Sequence, residues 1–195
     1  MNNAKIKIDF YLNNKKQNLL VNPSDRISKI LREDLSLMGT KIGCNAGDCG
    51  SCTILVDDEP VCSCLMTVAK AEKKNIQTIE GLSLNGINNL QKSFLKHGAA
   101  QCGICTPGLL ITASALLKKN STPSKKEVEE ALSGVLCRCT GYQKIVSAVM
   151  NVNSDAMEEP VYGKSVGRRV PRIDGLKKVL GTEIYGADYW PEGSL

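Results

Sequence analysis

The chain has 195 residues, 42% hydrophobic and only 4% aromatic, enough apolar content for one large core or two small ones but poor in the large rings that stabilise small domains. No apolar run approaches the roughly 20 residues of a membrane span, and Met1-Asn2-Asn3-Ala4-Lys5 lacks a signal peptide's apolar segment, so a cytoplasmic chain without membrane insertion is expected. The formal charge of +5 counts nine cysteines as neutral, and in a reducing compartment closely spaced cysteines are metal ligands more often than disulfides.

In chain order, Ile6, Ile8, Phe10 and Leu12 alternate as one face of a strand. Asn13-Asn14-Lys15-Lys16 reads as a turn and Gln17 to Val21 as the returning strand, after which Ser24 is placed to cap a helix carrying Ile27, Ile30, Leu31 and Leu35 on one face. A Gly- and Cys-rich loop runs from Ser36 to Cys52. Thr53 to Val56 and Val61 to Cys64 then form a second strand pair around Asp57-Asp58-Glu59-Pro60, and Ile76 to Ile79 adds a strand. These elements predict an α+β domain over residues 1–81.

Beyond Gly81 the period becomes helical. Leu84, Ile87, Leu90 and Phe94 share one face; Leu109, Leu110, Ala113, Leu116 and Leu117 share another, with Thr106 at the N-cap and Pro107 at the first helical position. Ser124 and Glu127 make a capping box before Val128, Ala131, Leu132 and Val135, and a fourth helix spans Gln143 to Val152 with Ile145, Val146 and Val149. Residues 82–153 therefore read as a four-helix domain, 154–163 as an acidic linker, and 164–195 as a basic tail ending in a cluster of Tyr185, Tyr189 and Trp190.

Cys44, Cys49 and Cys52, with Cys64 twelve positions later, have the Cys-x4-Cys-x2-Cys spacing of plant-type 2Fe-2S ferredoxins. Three ligands within nine residues wrap a two-iron core better than a single zinc, which prefers paired Cys-x2-Cys turns. Gly43, Gly47 and Gly50 suit a loop that must curve tightly and aim backbone N–H groups at sulfur. The second set is Gln101-Cys102-Gly103-Ile104-Cys105-Thr106-Pro107-Gly108 with Cys137-Arg138-Cys139-Thr140-Gly141-Tyr142. Both pairs precede helices, whose positive ends favour an anionic site. By spacing alone, zinc, a redox disulfide and iron–sulfur all fit this second set, although a thioredoxin-like reading lacks its strand. Cys62, the ninth cysteine, is either a small hydrophobe or a substitute ligand for Cys64, and His97 reads as a surface residue near a helix end. If both sets hold oxidised clusters on four thiolates, each contributes about −2 and the net charge falls to roughly +1. No nucleic-acid partner is then implied.

Lys-x-Gly-Cys-x4-Cys-Gly-x-Cys, Gln-Cys-Gly-Ile-Cys-Thr-Pro-Gly and Cys-Arg-Cys-Thr-Gly-Tyr, in this order over residues 4–153, closely resemble the iron–sulfur subunit of the xanthine dehydrogenase/aldehyde oxidase family of molybdenum hydroxylases. The resemblance implies a β-grasp plant-type ferredoxin domain followed by a four-helix 2Fe-2S domain, with Cys44, Cys49, Cys52 and Cys64 binding one cluster and Cys102, Cys105, Cys137 and Cys139 the other. It implies electron transfer from the molybdopterin of a large molybdenum-binding subunit, through the helical-domain cluster and then the ferredoxin-like one, to FAD on a further subunit or to an external acceptor. Gln101 and Cys139 would contact the pterin, and Gly103 would let the backbone approach it. No substrate chemistry is expected on this chain. The competing reading is an independent two-cluster carrier. Residues 163–190 look like the opening of the molybdenum-binding subunit, so a split gene is expected, with Val166, Val170, Leu180, Tyr185 and Trp190 buried against a partner.

Overall fold

The computed structural model describes residues 4–153, 162–164, 166–167, 170, 172–189 and 191–193. Most of the expected linker and Trp190 lie outside the described residues.

Strands β1 (Ile6–Leu12) and β2 (Lys15–Val21) pair antiparallel through Asn13 and Asn14, whose φ values of 50° and 67° make the turn two residues long. Asn tolerates that left-handed conformation, so β2 starts two residues before the expected Gln17. The pattern repeats in β3 (Thr53–Val56) and β4 (Glu59–Cys62), joined by Asp57 and Asp58 at φ 50° and 69°. The tighter turn moves β4 toward the N-terminus, and Cys64 falls outside the strand. Strand β5 (Asn75–Gln77) runs parallel to β1 and antiparallel to β3, giving the order β2-β1-β5-β3-β4.

One face of this β-grasp sheet packs on helix α1 (Ile27–Lys29), which continues as a π-helical turn over Ile30–Asp34. Ile27, Ile30 and Leu31 are buried against Ile8, Phe10, Ile54 and Val68. Ser24 does not cap this helix. Its hydroxyl donates to the Asn22 side chain at 2.8 Å, and extended Arg26 supplies the N-cap position, bridging to Thr67. The helix begins at Ile27, two residues too late for a Ser24 cap, and the Ile27 N–H is satisfied by the Met66 carbonyl at 2.9 Å.

The helical part contains α2 (Asn89–His97), α3 (Thr106–Lys119), α4 (Lys125–Leu132) and α5 (Gln143–Met150). Helix α2 starts five residues after Leu84, because Asn88 and Gln91 form a reciprocal capping box there and a 3-10 turn occupies Ile79–Ser83. The Ser124 and Glu127 capping box forms as expected. In α3 the N-cap is Cys105 rather than Thr106, with Pro107 in the first turn. Leu90, Phe94, Leu109, Leu110, Val128, Leu132, Ile145 and Val149 build the second core. A smaller cluster of Leu55, Ile111 and Ala115 joins the sheet to α3.

The tail does not stand apart. Helix α6 (Gly175–Leu180) buries Val179 in the helical core, and the Gln91 amide donates to the Val179 carbonyl at 2.8 Å. Among the described residues no helix is long and apolar enough to cross a membrane.

Candidate metal centres

The first loop, residues 43–48, is largely exposed and curls around its own sulfurs. Gly47 and Gly50 take positive φ, 91° and 66°, which glycine adopts without penalty. Backbone N–H groups of Ala46 and Cys49 point at Cys44 Sγ from 3.3 and 3.4 Å, and that of Cys44 at Cys49 Sγ from 3.3 Å. These donors, the Ala46 N–H first, lower the Cys44 thiol to about 7. A thiolate or a reduced cluster gains from the same donors.

Cys52 and Cys64 are buried. Burial, followed by the neighbouring Cys52, pushes the Cys64 thiol up to about 12. Cys62 also reaches Cys52, but the surroundings of the two candidates differ. The Gly47 N–H donates toward Cys64 and favours its thiolate, whereas Cys62 Sγ faces the Gly47 carbonyl at 4.0 Å, where only a protonated thiol can donate. The expected shared strand face for these two residues does not arise, since β4 ends at Cys62.

At the second set, Cys105 and Cys137 lie within hydrogen-bonding reach of each other, as do Cys102 and Cys139. Burial raises Cys105 strongly, so its place at a helix start does not by itself ionise it. For Cys137, burial is outweighed by the Thr140 hydroxyl, 3.0 Å away, and by nearby backbone N–H groups, and the thiol is lowered. Tyr142 braces this turn: at φ 63° its hydroxyl accepts from the Cys137 N–H at 2.8 Å and donates to the Val135 carbonyl at 3.0 Å. Sequence reasoning quoted Tyr142 only within a motif and gave it no role. His97 sits at the end of α2, its Nδ1 2.9 Å from the Ser93 carbonyl.

Both sets thus present four thiols as two pairs: Cys44 with Cys49 and Cys52 with Cys64, then Cys102 with Cys139 and Cys105 with Cys137. Two pairs suit a two-iron core, which takes two thiolates per iron. The loops also touch. The Leu136 N–H donates to the Cys49 carbonyl at 2.9 Å, and Gly50 packs so closely under Gly134 that a Cβ there would lie only 2.9 Å from Val135 Cα.

Gln101 is half-buried, and Cys102 and Cys139 are exposed. Gly103, at φ 96°, faces this chain's own tail: a Cβ would overlap Tyr185 Oη and approach Lys178 Cδ at 2.9 Å. The tail thus comes close enough to leave no room for a side chain at Gly103. Tyr185 packs within the chain, its hydroxyl donating to the Cys102 carbonyl at 2.7 Å, whereas Val166 is fully exposed and Val170 partly so. Sequence reasoning also missed Arg32, Lys41 and Asp188. The Asp188 carboxylate binds Arg32 at 2.7 Å and Lys41 at 2.8 Å, with all three side chains no more than 10% exposed. A lysine inside a ligand-loop motif and an aspartate inside a tail motif were the available signals.

A β-grasp unit and a helical unit, each presenting two thiol pairs, define a two-cluster iron–sulfur protein of the electron-transfer class. Residues 10–82 match the family described as 2Fe-2S iron-sulfur cluster binding domain, and residues 78–150 match a second 2Fe-2S binding domain. The chain is 46% identical over 147 residues to the nicotine 6-hydroxylase small subunit of Paenarthrobacter nicotinovorans, covering 75% of this chain and 89% of that one. It is 45% identical over 146 residues to the nicotinate dehydrogenase small FeS subunit of Eubacterium barkeri, covering 74% and 93%. Among solved structures, the aldehyde oxidoreductase from Desulfovibrio gigas superposes with a TM-score of 0.88 at 36% identity, over 94% of this chain but 22% of that one. The chain belongs to the iron–sulfur subunits of the xanthine dehydrogenase/aldehyde oxidase family of molybdenum hydroxylases.

Proposed function

We propose that this chain passes electrons from the molybdopterin of a large partner subunit through the Cys102, Cys105, Cys137 and Cys139 site, then through the Cys44, Cys49, Cys52 and Cys64 site, to FAD on a second partner or to an external acceptor. The 2Fe-2S clusters, when bound, supply one-electron redox chemistry. The carrying observation is the 2.9 Å hydrogen bond from Leu136, beside Cys137, to the carbonyl of Cys49. It joins the two ligand loops through backbone alone and keeps them at one fixed separation.

The chain's own residues do the holding. Backbone N–H groups around Cys44 and the hydroxyl of Thr140 beside Cys137 favour thiolate, while burial of Cys64 and Cys105 means that loading iron releases their protons. Gln101 and Cys139 are the proposed pterin contacts, with the Gly103 backbone beside them. The location proposed is the cytoplasm. The tail is read as the opening of the molybdenum-binding subunit, a reading supported by 37% identity over 201 residues with the aldehyde oxidoreductase of Megalodesulfovibrio gigas, of which this chain spans 22%.

Iron and acid-labile sulfide analysis of the purified chain tests this reading, with about four irons and four sulfides expected on a two-cluster count. The reduced chain should give two distinct electron paramagnetic resonance signals. A colourless, zinc-loaded protein without sulfide would sink it.

A further inference from the structure

The tail segment from Asp174 to Asp188 lies across both units and reaches a cluster ligand. On the helical side, Val179 is fully buried and its carbonyl is held by the buried Gln91 amide. On the sheet side, the Asp188 carboxylate takes Arg32 and Lys41, and Lys41 Nζ also donates to the Glu183 carbonyl at 2.7 Å. Between these anchors the Tyr185 ring lies beneath Lys41 Nζ, 5.0 Å from the ring centroid, and the Asp188 carboxylate accepts the Tyr185 N–H at 3.1 Å. The phenol therefore has its ring, its backbone and its hydroxyl each fixed by a different contact. Its hydroxyl ends on the carbonyl of Cys102, and the absence of a side chain at Gly103 makes room for it.

Lys41 is three residues before Cys44. The Lys41 and Tyr185 stack consequently runs from the entry of the first ligand loop to the backbone of a ligand in the second. An O–H dipole with its positive end toward the Cys102 carbonyl offsets that carbonyl's negative end, which stabilises extra negative charge at the adjacent site. A tyrosine whose only task was to fill space could equally be phenylalanine.

We propose that Tyr185 is a positioning residue for the second cluster, carried on a tail strap that Asp188 pins to Arg32 and Lys41, and that the strap sets the reducibility of that cluster separately from the first. The inference rests on the two-cluster reading above. Its test uses the full chain with clusters loaded, in wild type, Tyr185→Phe and Tyr185→Ala. Readouts are the midpoint potential and resonance signal of each cluster, and amide hydrogen exchange over residues 102–104 and 183–189.

Tyr185→Phe keeps the ring on Lys41 and removes only the hydroxyl. The expected result is a lowered potential and an altered signal for the second cluster, with the first cluster unchanged. Tyr185→Ala should add faster exchange across 183–189 and 102–104. Two intact clusters with unshifted potentials in both variants would overturn the proposal while leaving the electron-transfer reading in place; equal shifts at both clusters would overturn it too, since the effect would then not be local. A wild-type chain with no second signal would remove the reading and the proposal together. Should Tyr185→Ala fail to assemble, Tyr185→Phe alone still decides the matter.

Discussion

The two ligand sites solve one electrostatic problem with different materials. The first takes three of its four ligands from one loop in which Ala46, Cys49 and Cys44 turn their own N–H groups onto sulfur, so the segment that supplies most of the ligands also supplies their stabilisation. The second draws its ligands from segments more than 30 residues apart and relies on side chains to hold them: Thr140 on Cys137, Tyr142 on the Cys137 backbone, and Tyr185 on the Cys102 carbonyl. A site organised by local backbone declares itself in spacing. A site assembled from two distant ligand pairs does not, because a Cys-x2-Cys and a Cys-x-Cys can serve zinc, a disulfide or a cluster equally well.

The sharpest way to break the comparison is at the second site. Cys137→Ser should remove about two of the four irons, on a two-iron cluster count, and unfold much of the helical unit, because binding energy at a buried metal site is folding energy. Loss of helical circular dichroism together with retention of the first cluster's signal is the expected readout. At the first site the effect should be confined. Cys64→Ser should also cost about two irons but leave the helical unit folded, and Cys62→Ser should cost none, since Cys62 Sγ meets a carbonyl that a ligand thiolate would avoid. Iron counts for the two serine variants check this, and the reverse pattern would move the ligand to Cys62.

The same distinction explains how far the sequence could be read. The alternation of Ile8, Phe10 and Leu12 and the Ser124 and Glu127 capping box are local signals, and both elements formed where expected. Ser24 failed as a cap because the helix starts at Ile27, whose N–H goes to the Met66 carbonyl, and Leu84 lay outside α2 because Asn88 offered a better start. Each of these is a competition that periodicity alone does not rank. The reach of Asp188 to Lys41 across 147 positions has no local signature at all, and the tail accordingly read as a surface for a partner when part of it packs on its own chain.

Asp188 sharpens the comparison, since its anchors lie on the sheet unit while the strap it holds serves the helical one. Asp188→Ala leaves Arg32 and Lys41 buried without their partner and should destabilise the chain by about 3 kcal/mol, the low end for breaking a buried pair; urea unfolding measures it. The pH dependence has a definite sign. Burial raises the Asp188 carboxyl, but Lys41 and Arg32 outweigh it and hold it below its ordinary value. A depressed folded value stabilises above the usual carboxylate pKa of about 4 and is lost as pH falls below it. Tail exchange over 183–189 should therefore be protected equally at pH 6 and pH 8, after correction for intrinsic exchange rates. A tail that loosened between those two values would require a group other than Asp188.

Where the sites meet, the joint is backbone. Gly50→Ala places a methyl against Gly134 at a positive φ, and strain with overpacking should cost about 2 kcal/mol. The useful readout is spectroscopic as well as thermal: magnetic coupling between the two reduced clusters should weaken if the Cys49 and Leu136 contact opens, while each cluster's own signal persists.

The smallest effect is expected at the other bridges between the units. Lys118 reaches Asp58 and Lys119 reaches Glu59, each at 2.7 Å, so α3 is tied to the β3 and β4 turn by two ion pairs. All four side chains are more than half exposed, and pairs of that kind gain little because water and salt screen them and long side chains lose entropy in forming them. Lys118→Ala and Lys119→Ala should each change unfolding free energy by no more than about 0.5 kcal/mol and leave both cluster signals alone. The apolar contact of Leu55 with Ile111 and Ala115 lies beneath the same surface, so Ile111→Ala is the control that should cost roughly 2 to 4 kcal/mol. An equal loss from the lysine variants would mean that charge, rather than buried area, holds the two units in register.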